Sequence, residues 1–253
     1  MKKRVIAIIP ARYASSRFPG KMLATIMGKS VIQRTYESAK ACRLLDDLII
    51  ATDHELIYNH VESFGGKAVM TNPDCPTGTD RIIEALENYP ELTNAECILN
   101  VQGDEACIDH KCMDAVCAAL LDNPQEVMAT ASVEITDPAE IHCPSVVKCV
   151  MDVNGHALYF SRLPIPGVKR LEALLPVYNK HIGIYAFRRE FLRLFGKMPQ
   201  TPLQLTEGLE QLRVLEFGYK IKVVPVEQSS PAVDIPQDIQ RVTEWLCNQN
   251  SSL

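Results

Sequence analysis

Short apolar runs of strand length alternate with segments of helical periodicity from residue 5 to about residue 133. The run at residues 5–10 is rich in β-branched residues and stops at Pro10, which is typical of a buried parallel strand. Because consecutive parallel strands need crossover connections, the expected fold class is α/β, with a mixed, mostly parallel sheet and helices on both faces. The predicted strands are residues 5–10, 48–51, 67–70, 97–101 and 128–133, and the predicted helices are residues 31–41, 56–64, 81–88 and 110–122.

The pattern changes after about residue 137. Antiparallel pairing is predicted for strands at residues 146–150 and 156–159, joined by a hairpin turn at residues 152–155. Residues 163–177 contain three prolines and one glycine without periodicity, which predicts a long loop or an arm used in assembly. The other predicted elements are strands at residues 182–187 and 221–226, a helix at residues 203–217, and a helix at residues 236–247 with Pro236 as its first residue. We expect one domain over residues 1–253, with residues 137–187 as a mixed or antiparallel excursion.

Composition excludes several classes of protein. The chain has 253 residues, 47% of them hydrophobic, and a net charge of -5 that is spread along its length, so no nucleic-acid partner is expected. No apolar run approaches the length that spans a bilayer, so no membrane partner is expected. Nine cysteines without a CxxC pair indicate reduced thiols and a cytoplasmic protein.

Two common kinds of catalytic site lack support in the sequence. Cys107, His110, Cys112 and Cys117 are not spaced as the ligands of common zinc sites are, and Cys112 and Cys117 suit the apolar face of their helix. No GxSxG motif occurs, so covalent catalysis by a serine nucleophile is not indicated.

The loop after the first strand carries the strongest chemical signal. It reads IPARYASSRFPGK and places Arg12, Arg17 and Lys21 among small residues, so that cations and backbone N–H groups can approach an anion. Open α/β sheets bind ligands at the carboxyl ends of their strands, which favours a phosphate cradle over an ordinary basic surface loop. The P-loop pattern GxxxxGK[ST] is absent.

Acidic residues follow a second strand at the same edge of the predicted sheet. Asp104 and Glu105 come after residues 97–101, where a carboxylate can hold Mg²⁺ against phosphate oxygens. Asp109 is expected to cap the following helix. Asp234 precedes the last helix and either caps it or completes the metal site.

Weaker signals come from three other segments. Gly78, Thr79 and Arg81 lie at a helix start, which favours anions, although Thr79 could simply cap the helix and Arg81 could lie on a solvated face. Arg162 and His181 flank the proline-rich stretch and could meet a carboxylated ligand, although His181 could equally have a structural role at the start of a strand.

Charged residues within the predicted helix at residues 203–217 have a simpler explanation. Glu207, Glu210 and Gln211 are close to Arg213 in sequence, and pairing within the helix accounts for that spacing.

Several motifs together resemble the CMP-Kdo synthetases, the 3-deoxy-manno-octulosonate cytidylyltransferases. They run nearly end to end and read IPARYASSRFPGK, ATDHE, GTDR, NVQGDE, ALYFSR, HIGIYAF, LEQLRVL and VDIPQD. The related CMP-sialate synthetases share the first loop in looser form but not YFSR, HIGIY and LEQLRVL. The resemblance implies a Rossmann-like, GT-A-like nucleotidyltransferase fold. It also implies an enzyme of lipopolysaccharide synthesis that transfers CMP from CTP to 3-deoxy-D-manno-octulosonate (Kdo), requires Mg²⁺ and forms a homodimer.

The resemblance also implies roles for individual residues. Those implied to bind the nucleotide are Arg12, Ser15, Lys21, Gly78, Arg81 and Gln102. Those implied to shape the sugar site are Arg162, His181, Glu210 and Gln211. Asp104 and Asp234 would hold Mg²⁺, and with Arg12 and Lys21 they form the implied catalytic set. Residues 137–187 would then serve sugar binding and dimerisation.

The sequence departs from the family pattern at a few positions. Ala106 stands where proline is usual, Gln204 replaces a glutamate, and VDIPQD replaces VDTPED. None of these positions is an implied metal or phosphate ligand, but Gln204 borders the implied sugar site. The alternative functions are therefore a CMP-sugar synthetase for a related 2-keto acid sugar, such as 8-amino-Kdo or a nonulosonate, and a non-catalytic nucleotide-binding protein.

Overall fold

The computed structural model describes residues 4–89, 92, 94–168 and 176–250. The strands are β1 (Val5–Ala11), β2 (Thr25–Ile26), β3 (Lys29–Ser30), β4 (Asp47–Thr52), β5 (Ala68–Met70), β6 (Cys97–Val101), β7 (Met128–Glu134), β8 (Lys148–Met151), β9 (Ala157–Ser161), β10 (Asn179–Arg188) and β11 (Lys222–Pro225). The helices are α1 (Val31–Lys40), α2 (Glu55–Ser63), α3 (Gly78–Asn88), α4 (His110–Asp122), α5 (Pro138–His142), α6 (Arg189–Lys197), α7 (Pro202–Glu207), α8 (Gln211–Glu216) and α9 (Asp238–Asn250). A short 3₁₀ helix spans Lys21–Leu23.

Within the described residues, a nine-stranded sheet has the strand order β11-β7-β10-β6-β1-β4-β5, with β8 paired to β10 and β9 paired to β8. Strand β1 runs parallel to both β4 and β6, β4 is parallel to β5, and β11 is parallel to β7. Strand β10 is antiparallel to its neighbours β6, β7 and β8. The sheet is therefore mixed, with β10 reversed at its centre.

Both faces of the sheet are covered by helices, as the sequence predicts. Along β1, Ala7 and Ile9 pack into a cluster with residues of α1, α2 and α4, whereas Ile6 and Ile8 pack with residues of α3, α6 and α8. This alternation explains why the strand is apolar throughout, since neither face meets water. Burying each isoleucine stabilises the fold by about 1.5–3 kcal/mol.

A third, smaller apolar cluster joins the carboxyl end of the chain to the edge of the sheet where β6 ends. Ile26 and Val31 pack there against Ala106, Val233 and Val242. The backbone N–H of Val233 donates to the carbonyl of Asp104 at 3.0 Å. This contact fixes the segment that contains Asp234 beside the end of β6.

The later part of the chain differs from the prediction in its helices. The prediction of a single helix at residues 203–217 is wrong: α7 ends at Glu207, the next residue, Gly208, has a left-handed φ of 63°, and α8 begins only at Gln211. A helix beginning at Pro236 is also wrong, because the Asp238 carboxylate accepts the N–H groups of Asp234 and Ile235 in a turn and α9 starts at Asp238.

Several elements were not predicted, namely the β2–β3 hairpin and the helices α5 and α6. In the region of residues 137–187, β8 and β9 are antiparallel as predicted, and β10 extends beyond the predicted residues 182–187 at both ends. Of the predicted loop or arm at residues 163–177, residues 169–175 lie outside the described part of the chain.

No helix in the described ranges is long and apolar enough to cross a membrane. All nine cysteines lie in the described ranges and are free thiols.

Candidate active site

A cleft of about 360 Å³ opens where β1 and β6 end. Most of the residues proposed from the sequence line it: Arg12, Ser15, Lys21, Gly78, Arg81, Gln102, Asp104, Glu210 and Asp234. The carboxyl ends of parallel strands meet at one edge of the sheet, so the loop after β1, the end of β6 and the start of α3 converge there.

Close backbone packing holds the loop after β1 against the end of β6. A Cβ atom on Gly103 would lie 2.9 Å from the carbonyl oxygen of Pro10 and 3.0 Å from the sulfur of Met22, so only glycine fits. The carbonyl of Gly103 also accepts a hydrogen bond of 2.9 Å from Thr35 Oγ1 on α1. Asp104, the next residue, is thereby directed into the cleft beside the basic loop.

Two cations and two carboxylates meet in the cleft. Lys21 Nζ lies 2.7 Å from Asp104 Oδ2 and 3.5 Å from Asp234 Oδ1. Arg17 forms a bidentate pair with Asp234, in which Nη1 donates to Oδ2 at 3.0 Å and Nη2 donates to Oδ1 at 3.1 Å. The metal site predicted from Asp104 and Asp234 therefore has its two carboxylates in one place, and Lys21 links them.

Glu105 has a different environment from Asp104 and does not line the cleft. Burial, with repulsion from Asp104 and Asp234, raises the pKa of Glu105 to about 8. Of the two acidic residues that follow β6, only Asp104 reaches the cleft.

The start of α3 also lines the cleft. Thr77, and not Thr79, caps the helix, since its Oγ1 accepts the N–H of Asp80 at 3.1 Å. Thr79 instead donates from Oγ1 to Glu210 Oε2 at 2.8 Å. Gly78 lies close to Pro10, 3.1 Å from the position of a Cβ to the proline ring. The start of α3 is therefore held against both β1 and the segment between α7 and α8.

Arg81 is buried and does not lie on a solvated face. Its side chain is 3% exposed and pairs at 2.9 Å with Asp53 Oδ2, a side chain that is itself 9% exposed. A second guanidinium nitrogen donates to Thr71 Oγ1 at 2.6 Å, and the other Asp53 oxygen accepts the N–H of Tyr13 at 2.9 Å. Sequence reasoning missed Asp53. Its position directly after β4, at the same edge of the sheet, could have identified it as a residue of the site.

The other three proposed sugar-site residues, Arg162, His181 and Gln211, do not line this cleft. Arg162 Nε donates to the carbonyl of Glu207 at 2.7 Å, and its Nη1 donates to the carbonyl of Pro144 at 3.0 Å. His181 Nε2 is 2.9 Å from Thr130 Oγ1. Gln211 is buried, and no partner for its Nε2 is found in the described part of the chain.

The expected pairing of Glu207 and Glu210 with Arg213 within one helix is wrong, because the helix is interrupted at Gly208. Glu207 accepts a hydrogen bond from Ser161 Oγ at 2.8 Å, and Glu210 accepts from Thr79. Arg213 donates to the carbonyl of Met198 and lies 4.0 Å above the ring of Phe195. Glu210 is consequently available to the cleft.

Two smaller expectations are confirmed. Asp109 caps α4, since its carboxylate accepts the N–H of Lys111 at 2.9 Å. Cys112 and Cys117 are buried in the core.

Burial of His181 makes stability depend on pH in a defined direction. Burial lowers the pKa of His181 to about 3, from its ordinary value of 6.5. Between pH 6.5 and pH 3 the unfolded chain binds a proton at His181 that the folded protein does not bind, so stability falls as the pH falls. The expected contribution is about 1.4 kcal/mol of unfolding free energy for each pH unit crossed.

Urea unfolding at pH 7 and pH 5 tests this expectation. Wild type should lose more unfolding free energy between the two pH values than His181→Gln, whatever the stability of the variant at pH 7. Equal losses in the two proteins would show that His181 is not buried as a neutral group.

Comparison with known proteins places the chain in a family. The cytidylyltransferase family model matches residues 6–221. A 3-deoxy-manno-octulosonate cytidylyltransferase of Protochlamydia amoebophila is 50% identical over 254 residues, covering 100% of this chain and 98% of the relative. A protein of the same name from Chlamydia abortus is 47% identical, covering 98% of this chain and 96% of the relative.

Solved structures that resemble this chain include an enzyme of the same kind as these relatives. A CMP:2-keto-3-deoxy-manno-octonic acid synthetase complexed with CTP is 37% identical, with a TM-score of 0.91 over 98% of this chain and 100% of that one. A 4-diphosphocytidyl-2C-methyl-D-erythritol synthase of Anaerococcus prevotii, 17% identical with a TM-score of 0.63 over 97% and 96% of the two chains, shares the fold. The expected Rossmann-like nucleotidyltransferase fold is confirmed. The chain belongs to the cytidylyltransferase family, among the 3-deoxy-manno-octulosonate cytidylyltransferases.

Proposed function

We propose that the protein transfers CMP from CTP to the anomeric C2 hydroxyl of Kdo, giving CMP-Kdo and pyrophosphate for lipopolysaccharide synthesis. The observation that carries this proposal is the cleft in which Lys21, Asp104 and Asp234 meet beside the loop after β1. Membership of the family supports the choice of CTP and Kdo as substrates.

The residues of the cleft suit a triphosphate. Arg12, Ser15 and Lys21 line the cleft together with Gly78 at the N-terminus of α3, so cations and the positive end of a helix dipole border the same space. Arg81 also lines the cleft, and its ion pair with Asp53 fixes the position of its guanidinium. Gln102 completes the nucleotide side from the end of β6.

The reaction replaces one phosphorus–oxygen bond with another. The C2 hydroxyl oxygen of Kdo bonds to the α-phosphorus of CTP, the bond from that phosphorus to the β-phosphate oxygen breaks, and the hydroxyl proton leaves to solvent. Little covalent chemistry falls to the protein, so its contribution is to position the two substrates and to neutralise the charge of the triphosphate. Arg12 and Lys21 supply positive charge for that purpose.

Asp104 and Asp234 fit a bound Mg²⁺. Within the described ranges no group of three or more His, Cys, Asp or Glu side chains could hold a metal ion. Mg²⁺ is usually bound by one or two carboxylates together with substrate phosphates and waters, and this cleft offers two carboxylates beside a basic loop. When bound, Mg²⁺ would polarise phosphate oxygens and stabilise charge on the leaving pyrophosphate.

Kdo would enter beside Glu210, with Arg162, His181 and Gln211 as further residues of the sugar site. Glu210 lines the cleft, and the unpartnered amide of Gln211 follows it directly in the chain. Gln204 Oε1 is also buried with no partner in the described ranges, so two amides that flank Glu210 in the chain have unused hydrogen-bonding capacity. A related 2-keto acid sugar is the alternative substrate, because Gln204 departs from the family pattern.

We further propose a cytoplasmic homodimer. The free thiols suit a reducing compartment. Leu158, Leu163 and Val177 are 61%, 69% and 59% exposed and lie within residues 137–187, the region proposed for dimerisation. Exposed apolar side chains there suit a protein contact. Light scattering of the purified protein tests the dimer: a monomer mass at micromolar concentration would contradict it.

Pyrophosphate release tests the proposed function. Purified protein with CTP and Mg²⁺ should release pyrophosphate when Kdo is added and should stop when a chelator removes the metal. Parallel reactions with 8-amino-Kdo and N-acetylneuraminate test the sugar. Release with either analogue in place of Kdo would change the sugar assignment, and no release with any sugar despite CTP binding would favour the non-catalytic alternative.

A further inference from the structure

Arg17 reaches the site through Asp234, the one described side chain with which its guanidinium makes a hydrogen bond or an ion pair. Its guanidinium occupies both carboxylate oxygens of Asp234 and lines the cleft, yet the side chain remains 66% exposed. A bidentate Arg–carboxylate pair has good geometry, but such exposure keeps it weak and allows the arginine to leave.

In this arrangement, the cations pair with three of the four carboxylate oxygens that a metal ion could use. Asp234 faces Arg17 and also Lys21, and Asp104 faces Lys21 at 2.7 Å. Two positive and two negative side chains therefore neutralise one another. A divalent cation binding there meets two positive charges at short range, and a triphosphate meets two cations already engaged by carboxylates.

We propose that Arg17 is a positioning residue that couples metal binding to triphosphate binding by moving from Asp234 to the phosphates of CTP. The inference rests on the proposed function. When the triphosphate takes up Arg17 and Lys21, both carboxylates are released for the metal, and a bound metal in turn releases the cations for the triphosphate. Because such linkage is reciprocal, each ligand raises the affinity for the other by the same factor.

The coupling predicts opposite changes in two separate binding measurements on Arg17→Gln. Mn²⁺ binding without nucleotide, followed by electron paramagnetic resonance as a probe for Mg²⁺, should tighten roughly 3- to 10-fold, because one positive charge leaves the carboxylates. CTP binding without metal, measured by calorimetry in the presence of a chelator, should weaken, because the same charge is lost to the triphosphate.

Two further variants separate charge from structure. Arg17→Lys keeps the charge without the fork and should bind Mn²⁺ about as weakly as wild type. Arg43→Gln removes an exposed arginine that does not line the cleft and should change neither affinity.

The outcomes distinguish this inference from the proposed function. Affinities of Arg17→Gln that are unchanged, or that move in the same direction, would overturn the coupling. The coupling would also be overturned if neither wild type nor Arg17→Gln bound Mn²⁺. In each of these cases, pyrophosphate release with Kdo would still decide the proposed function independently.

Discussion

Replacement of Asp104 by asparagine should lower turnover at least about 100-fold while leaving the protein folded. Asp104 is one of two carboxylates that we propose hold Mg²⁺, and the substitution removes its charge without changing its size. The Asp104 side chain is 26% exposed, and Lys21, whose side chain is 9% exposed, keeps Asp234 as a partner at 3.5 Å. The loss of unfolding free energy should therefore stay below the roughly 3–5 kcal/mol that breaking a fully buried pair costs. Steady-state pyrophosphate release and urea unfolding of the same preparation measure the two effects.

Asp109→Asn is the matched control for this substitution. Asp109 is five residues away, caps α4 and does not line the cleft, and asparagine is as good an N-cap as aspartate. Its turnover and stability should both match those of wild type. An Asp104→Asn protein with wild-type turnover at saturating Mg²⁺ would remove Asp104 from the metal site.

Loss of Arg81 should destabilise the fold by several kcal/mol. Arg81→Met leaves Asp53 buried without its cationic partner, and removing one member of a buried ion pair costs about 3–5 kcal/mol. Thr71 Oγ1 and Tyr13 N–H, which share this network, would lose part of their order as well. The unfolding free energy from urea titration should fall by that amount.

A double-mutant cycle with Asp53→Asn tests whether the pair itself is responsible. The double variant should lose clearly less unfolding free energy than the sum of the losses in the two single variants. Once both side chains are neutral, no unpaired charge remains buried. Arg193→Met is the control, since Arg193 lies on the surface of α6 with Glu190 3.9 Å away, and it should change stability by less than about 1 kcal/mol. Additive losses in the cycle would mean that Arg81 and Asp53 do not act as a pair.

Residues that follow strands could be located from the sequence because the fold class fixes where strands end. Once β1 and β6 are recognised as parallel neighbours, Lys21 and Asp104 must lie at one edge of the sheet. The same argument would have found Asp53 after β4, had it been applied to the second strand. The nucleotide side of the cleft was therefore accessible to sequence reasoning.

The sugar side was less accessible because it depends on where a helix is interrupted. Glu210 faces the cleft only because Gly208 adopts a left-handed conformation and separates α7 from α8. Local spacing alone suggested that Glu210 pairs with Arg213. Nothing in the local sequence reveals that its partner is instead Thr79, 131 residues away. Contacts between distant segments of this kind decide the roles of Arg162 and Asp234 as well.

The most direct test of the central claim identifies the bond that breaks and the bond that forms. CTP, Mg²⁺ and Kdo labelled with ¹³C at C2 can be incubated with the protein and followed by ³¹P nuclear magnetic resonance. The account predicts a new phosphodiester signal coupled to the labelled carbon, together with pyrophosphate in equal amount. Formation of CDP with inorganic phosphate, or a phosphodiester without coupling to that carbon, would contradict it.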